Sequence, residues 1–248
     1  MAPVFPPWNQ ADWVPQDDSL RGGASSSQIV PNHEGATAIF MGKLDSKKLG
    51  GAGFASVMTT GVRKWDWTKY EGLKIRIQNA DHKTYSIILK NDVPDDKTES
   101  KERSTISYEY HFSHHNKQPA TVLARFEDFT PFYRGKLARD APPLDLKNVK
   151  RLSIMCRSFF GRLEQEGEFR IEFKGFDTYR AKKGKGKDNA EGKGKEVLID
   201  VDRKKVDPQV GEENKKDSEE DWEMVGSNDV ANAKPEEADK NGWTCSVM

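Results

Sequence analysis

The chain has 248 residues, with 40 basic and 40 acidic side chains and a formal net charge of zero. That balance gives no electrostatic argument for nucleic acid as a partner. No stretch reaches the roughly 18 consecutive apolar residues that a membrane-spanning helix needs. The length suits one large or two small domains. Neutrality hides an asymmetry: from Lys182 onward there are 13 basic and 17 acidic residues, against 27 and 23 before it. Attraction between parts of opposite sign is screened by salt. The two cysteines are Cys156, in an apolar run, and Cys245, close to the C-terminus. Neither position suggests a disulfide, which fits a reducing compartment.

Residues 1–11 are rich in proline, carry Phe5 and Trp8, and read as a short arm laid on the domain. They lack the basic start and apolar core of a secretory signal. Asp12, Asp17 and Asp18 all precede Arg21, the first basic residue, so the segment does not read as a mitochondrial presequence either. Gly22-Gly23-Ala24-Ser25-Ser26-Ser27 follows. Its backbone N–H groups, with Gly22, Gly23, Ser25 and Ser27 as the candidate residues, would suit an anion. A tight turn held by serine hydroxyls on their own backbone is the favoured reading. Gly50-Gly51-Ala52-Gly53 leads into a strand rather than from a strand into a helix, so it is a turn and not a dinucleotide fingerprint.

Strand-like runs occupy 36–44, 53–59, 72–78, 84–91, 105–112, 120–126, 149–157 and 168–176. Leu73-Lys74-Ile75-Arg76-Ile77 and Phe169-Arg170-Ile171-Glu172-Phe173 alternate apolar and charged residues, the period of a strand with one buried and one wet face. Ser86-Ile87-Ile88-Leu89 and Ser153-Ile154-Met155-Cys156 are more evenly apolar, as central strands are. The pattern predicts an all-β domain over 12–181, a β-sandwich or jelly roll. Residues 92–103 and 130–147 are expected to be loops and natural binding surfaces.

Several polar constellations lie in this region. Glu109 with His111, His114 and His115 lacks the spacing of a metal site, and no metal or other cofactor is expected. Asp17, Asp18, Asp128 and Asp145 read as turn and loop residues rather than an acid–base pair. No nucleophile–base arrangement is visible, and the chain is not expected to be an enzyme. Trp65, Trp67, Tyr133 and Arg134 are the residue types that anchor protein interfaces, although arginine stacked on tryptophan for structural reasons is an equal reading.

Residues 182–248 are charged and without apolar periodicity, and are expected to be a disordered tail. Within 196–206 one patch, Val197-Leu198-Ile199-Asp200-Val201, would suit an added strand. Trp222 and Val225, in Asp217-Ser218-Glu219-Glu220-Asp221-Trp222-Glu223-Met224-Val225, resemble the short motif that docks on ubiquitin-like autophagy modifiers by strand addition. An acidic tail that happens to hold a tryptophan is the alternative. The terminal Cys245-Ser246-Val247-Met248 reads as a prenylation box, with Cys245 the lipidated residue and the final Met favouring farnesyl. One prenyl chain binds a membrane weakly, so a second signal is expected. The lysines of 182–195 are a candidate, since a flexible chain of about fifty residues spans roughly 40 Å.

Five blocks together resemble the complex I intermediate-associated protein 30 family. Asp17-Asp18-Ser19-Leu20-Arg21-Gly22-Gly23-Ala24-Ser25-Ser26-Ser27 is similar to its opening block. Phe40-Met41-Gly42 with Gly50-Gly51-Ala52-Gly53-Phe54-Ala55-Ser56-Val57 is similar to the second, and Tyr70-Glu71-Gly72-Leu73 with Arg76 to the third. Arg125-Phe126-Glu127-Asp128-Phe129, Arg134-Gly135 and Pro143-Leu144-Asp145 make up the fourth. Gly167-Glu168-Phe169-Arg170-Ile171 resembles its last strand. The resemblance implies a galactose-binding-like β-sandwich and a non-catalytic protein that binds assembly intermediates. The family is named for assembly of mitochondrial NADH:ubiquinone oxidoreductase. Joined to the prenylation box, it implies a module that keeps the sandwich but sits peripherally on a cytosol-facing membrane. A mitochondrial complex I assembly factor proper and, by fold analogy alone, a glycan-binding module are the alternatives.

Overall fold

Period-two alternation is realised as written in the sequence. Leu73, Ile75 and Ile77 are buried while Lys74 and Arg76 between them are only half-buried. The computed structural model describes residues 1–93, 104–114 and 118–180, and the backbone of a short strand at 197–199. The chain divides into two units, Met1–Pro208 and Gln209–Met248, and every described residue belongs to the first.

Among the described residues, fourteen strands follow in chain order: β1 (Ala2–Phe5), β2 (Trp13–Pro15), β3 (Ser26–Pro31), β4 (Ala38–Leu44), β5 (Phe54–Thr59), β6 (Gly72–Ala80), β7 (Thr84–Lys90), β8 (Ser107–Ser113), β9 (Ala120–Arg125), β10 (Thr130–Tyr133), β11 (Lys136–Leu137), β12 (Arg151–Arg157), β13 (Gly167–Tyr179) and β14 (Val197–Ile199). One sheet has the order β14-β9-β6-β13-β4-β3, with β1 also paired to β13. The other has the order β11-β10-β8-β7-β12-β5-β2. Pairing is antiparallel except between β14 and β9. The two sheets enclose one core of aromatic and aliphatic side chains, among them Phe40, Tyr85, Phe112, Phe169, Phe173 and Phe176. The expected β-sandwich is therefore the observed fold.

Two expectations are corrected, and a third is refined: the N-terminal arm, read as laid on a domain beginning at residue 12, is itself part of the sandwich. β1 pairs with β13, and Phe5 and Trp8 lie in the core, stacked at 4.8 Å, with Trp13 stacked on Trp8 at 5.8 Å. Burying such rings stabilises by about 1.5–3 kcal/mol each, enough to draw a proline-rich segment into the fold. Next, 130–147 is not all loop. β10 and β11 form a hairpin whose two turn residues, Arg134 and Gly135, have φ of 49° and 78°. Positive φ at both central positions is the geometry that matches strand twist in a two-residue hairpin. Last, the start of the 182–248 tail contributes β14, as the alternating patch had suggested, so the sandwich extends past residue 181.

Candidate functional site

The core takes Tyr85, Ile87 and Leu89 from β7, Tyr108, Tyr110 and Phe112 from β8, and Leu152, Ile154 and Cys156 from β12. The intervening residues therefore face away from it. Register brings them together: Ser86 lies opposite His111, and Ile88 lies opposite both Glu109 and Ser153. This outer face is nonetheless covered. Ser86, Ile88, Glu109, Arg151 and Ser153 are all buried.

At its centre is a chain of polar contacts. His111 Nδ1 lies 2.7 Å from Ser86 Oγ. An Arg157 terminal nitrogen lies 3.0 Å from His111 Nε2, and its other terminal nitrogen lies 2.8 Å from a Glu109 carboxylate oxygen. Ser107 Oγ donates to the second Glu109 oxygen at 3.1 Å. Two rings frame the guanidinium, Phe159 at 4.8 Å and Phe132 at 5.4 Å. Phe159 also meets the imidazole edge-on at 5.3 Å.

Arginine only donates, so His111 Nε2 must accept, and the ring proton sits on Nδ1 facing Ser86. Burial, reinforced by the Arg157 charge, pushes the imidazole down to about 3, so it stays neutral. Burial raises the Glu109 carboxyl, and Arg157 opposes that rise. Nucleophilic catalysis needs a histidine lone pair aimed at the hydroxyl and an acid behind the ring. Here an N–H is aimed at Ser86 and a cation stands behind the ring. The cluster can fix a rigid surface but is not built to take a proton from Ser86. Arg157 also fills the space between Glu109 and His111 that a metal would need. Among the described residues, no three His, Cys, Asp or Glu side chains are grouped to hold an ion.

The glycine–serine block has a different role from either sequence reading. Its amides and hydroxyls do bind an anion, but the anion is the chain's own. Ser25 donates to Asp18 through N at 3.0 Å and Oγ at 2.7 Å. Ser27 donates to Asp17 through N at 3.0 Å and Oγ at 2.6 Å. The same carboxylates accept from Phe54 N and Ser56 N on β5. The expected hydroxyl-to-own-backbone bonds of a tight turn are thus replaced by carboxylate bonds that clamp the β3 side of one sheet to β5 of the other. Gly22 does sit at φ 80°, as a turn requires. A side chain on Gly23 would collide with the Asp18 carboxylate. Burial raises the Asp17 carboxyl, while its bonds to Ser27 and Ser56 work against the rise.

Trp65 and Trp67 stack at 5.1 Å, and Trp67 is buried against Phe126 at 5.6 Å. Arg134 lies over its neighbour Tyr133 at 5.5 Å and donates to Ser104 at 3.3 Å. Among the described residues it has no ring contact with either tryptophan, so the expected face of Trp65, Trp67 and Arg134 is not assembled as one unit. Asp128 binds Arg125 through both oxygens, and Asp145 caps Lys147 N and Asn148, so these two serve local loop structure. His114 contacts the Gln118 carbonyl at 2.7 Å. His115, the 182–195 lysines, Trp222, Val225 and Cys245 lie outside the described residues. Sequence reading singled out Glu109 and His111 but missed Ser86, Phe132, Arg157 and Phe159. Outward residues on period-two strands were the available signal, but nothing in the sequence says which strands are neighbours.

Residues 6–173 match the family described as Complex I intermediate-associated protein 30. The match runs from the proline arm into β13 and includes the whole outer-face cluster. An uncharacterized protein of Schizosaccharomyces pombe is 37% identical over 169 residues, covering 66% of this chain and 76% of that one. Among solved structures, the family 11 carbohydrate-binding module from Clostridium thermocellum, in complex with a β-1,3-1,4-mixed-linked tetrasaccharide, is similar at 12% identity and a TM-score of 0.45. The likeness covers 68% of this chain and 89% of that one.

Proposed function

Because the chain belongs to the complex I intermediate-associated protein 30 family, we propose that it is a non-catalytic module that holds protein assembly intermediates. We further propose that a farnesyl group on Cys245 carries it on a cytosol-facing membrane. The observation that carries the non-catalytic part is the Arg157 contact on His111 Nε2, which leaves the neighbouring Ser86 without a base. The rigid sandwich is then a platform, and regulation is left to the tail.

In this reading the tail has two tasks. The prenyl group supplies one weak membrane anchor, and the lysines of 182–195 add to it at an anionic surface. Trp222 and Val225 dock a ubiquitin-like modifier by strand addition, filling alternate pockets on a sheet edge.

Intact mass of the protein from its own cells, with fractionation beside Cys245→Ser, tests the address. A farnesylated C-terminus and loss of membrane association in the variant are expected. An unmodified C-terminus, or an unchanged distribution, ends the tether and returns the chain to the mitochondrial alternative. Capture of the full chain during complex assembly tests the holding role.

A further inference from the structure

Among the described residues, two large apolar side chains are almost wholly exposed, Phe160 and Leu163, each at 84%. They lie in the loop that joins β12 to β13, and the loop is locked in place. Ser158 N donates to the Gly53 carbonyl at 3.0 Å, and Ser158 Oγ donates to the Gly51 carbonyl at 2.8 Å. Gly53 N donates back to Ser158 Oγ at 3.0 Å, and Arg162 N closes onto the Ser158 carbonyl at 3.0 Å. Phe159 is gripped between Arg157 at 4.8 Å and Arg162 at 5.6 Å.

Within this frame Phe159, Phe160 and Gly161 have φ of 45°, 57° and 83°. Left-handed backbone is uncommon for phenylalanine, and two in succession are rarer. Such conformations persist where the surroundings over-determine them, and they concentrate at functional sites. Here the strained run anchors one ring inward and holds the next in solvent. The adjoining turn is basic: Lys47 and Lys48 are exposed, and Arg21 lies over Phe54, the register partner of Arg157. Of the nearby acids, Asp45 is turned onto the Lys47 and Lys48 amides and Glu166 onto Ser46, which leaves Glu164 in solvent.

We propose that the 158–163 loop is a membrane-contact knuckle that inserts Phe160 and Leu163 into an anionic lipid surface, with Lys47, Lys48 and Arg162 at the headgroups. Apolar tips ringed by basic residues are the chemistry of interfacial insertion. A protein partner is disfavoured by size, since two protruding side chains fall far short of the roughly 800 Å² per partner of a stable interface. The contact is independent of Cys245, and with a lipidated Cys245 it would provide a second attachment.

The test uses the full chain made without prenylation, sedimented with vesicles of phosphatidylcholine plus phosphatidylserine and with vesicles of phosphatidylcholine alone. Binding to the anionic vesicles is expected, lowered at least about tenfold by F160S/L163S. K47E/K48E should remove the preference for phosphatidylserine. Phe160→Gly, which removes the ring and the backbone strain together, should bind as poorly while melting no lower than the native chain. Native-like vesicle binding by F160S/L163S would assign binding to the lysine-rich tail and overturn the proposal. So would an unmodified chain that binds neither vesicle, or variants that lose a protein partner while keeping vesicle binding.

Discussion

Arg157 donates to Nε2 of His111 across 3.0 Å, and that contact decides the chemistry of the second sheet's outer face. It occupies the imidazole lone pair, turns the ring proton toward Ser86, and places a cation where a catalytic acid would stand. The cluster's effects on stability are measurable.

Acid should weaken the fold through His111. In the fold the imidazole stays neutral down to about 3, whereas unfolded histidine takes a proton near 6.5. The unfolded state therefore binds more protons between these values, and stability falls as pH drops through that window. At pH 5 the loss is about 2 kcal/mol. Glu109, whose carboxyl is raised by burial, works in the opposite sense and offsets part of it. Urea midpoints across pH should slope less in His111→Gln than in the native chain. Parallel slopes would show that the ring is not held neutral.

Glu109→Gln should cost about 3–5 kcal/mol, because it leaves the Arg157 charge half-buried without its counter-ion. Removing both charges in Glu109→Leu/Arg157→Met should cost less than the sum of the singles. The shortfall read from denaturant unfolding is the coupling. Simple additivity would mean that the pair does not interact as its 2.8 Å separation indicates.

The Asp18 carboxylate is a junction between the sheets. It accepts from Ser25 N, Ser25 Oγ and Phe54 N, and the residue is fully buried. Hydrogen bonds to a charged group contribute roughly 1.5–3 kcal/mol each, so Asp18→Ala should lose at least about 3 kcal/mol. Gly23→Ala should be destabilising by a similar amount, because its new methyl collides with the same carboxylate. Melting of the two variants checks this, and a near-native Gly23→Ala would contradict the clamp.

Thiol reactivity separates the two cysteines. Cys156 is fully buried, and burial pushes its thiol up to about 12. A thiol reagent at mildly alkaline pH should leave Cys156 untouched in the native state and modify it only on unfolding. In the unprenylated chain, native labelling should then fall on Cys245. In the farnesylated protein it should fall on neither. Rapid native labelling of Cys156 would contradict the packing around β12.

The central strands were legible because their burial follows period two, as in Leu73–Ile77 and Phe169–Phe173. The strands that escaped carry prolines or are short: Pro3 in β1, Pro15 in β2, Pro131 in β10. Arg134 concealed the β10–β11 turn, since arginine is not the residue expected at positive φ. Ser25 and Ser27 were visible as polar turn residues. Their bonds to Asp18 and Asp17 depend on a chain reversal that composition does not encode. Arg157 was hidden at the end of an apolar strand, 48 residues from the Glu109 it pairs with. The Phe159–Phe160 backbone leaves no mark in residue type at all.

The central claim is that this family member holds incomplete assemblies, and pulse–chase capture tests it most directly. Full-length chain would be recovered from cells after a short label and again after a chase, and its associated proteins resolved on native gels. The account predicts newly made, partly assembled proteins on the chain at early times, released as the finished complex accumulates. Migration at its own mass throughout, with no labelled partner at any time, would contradict it.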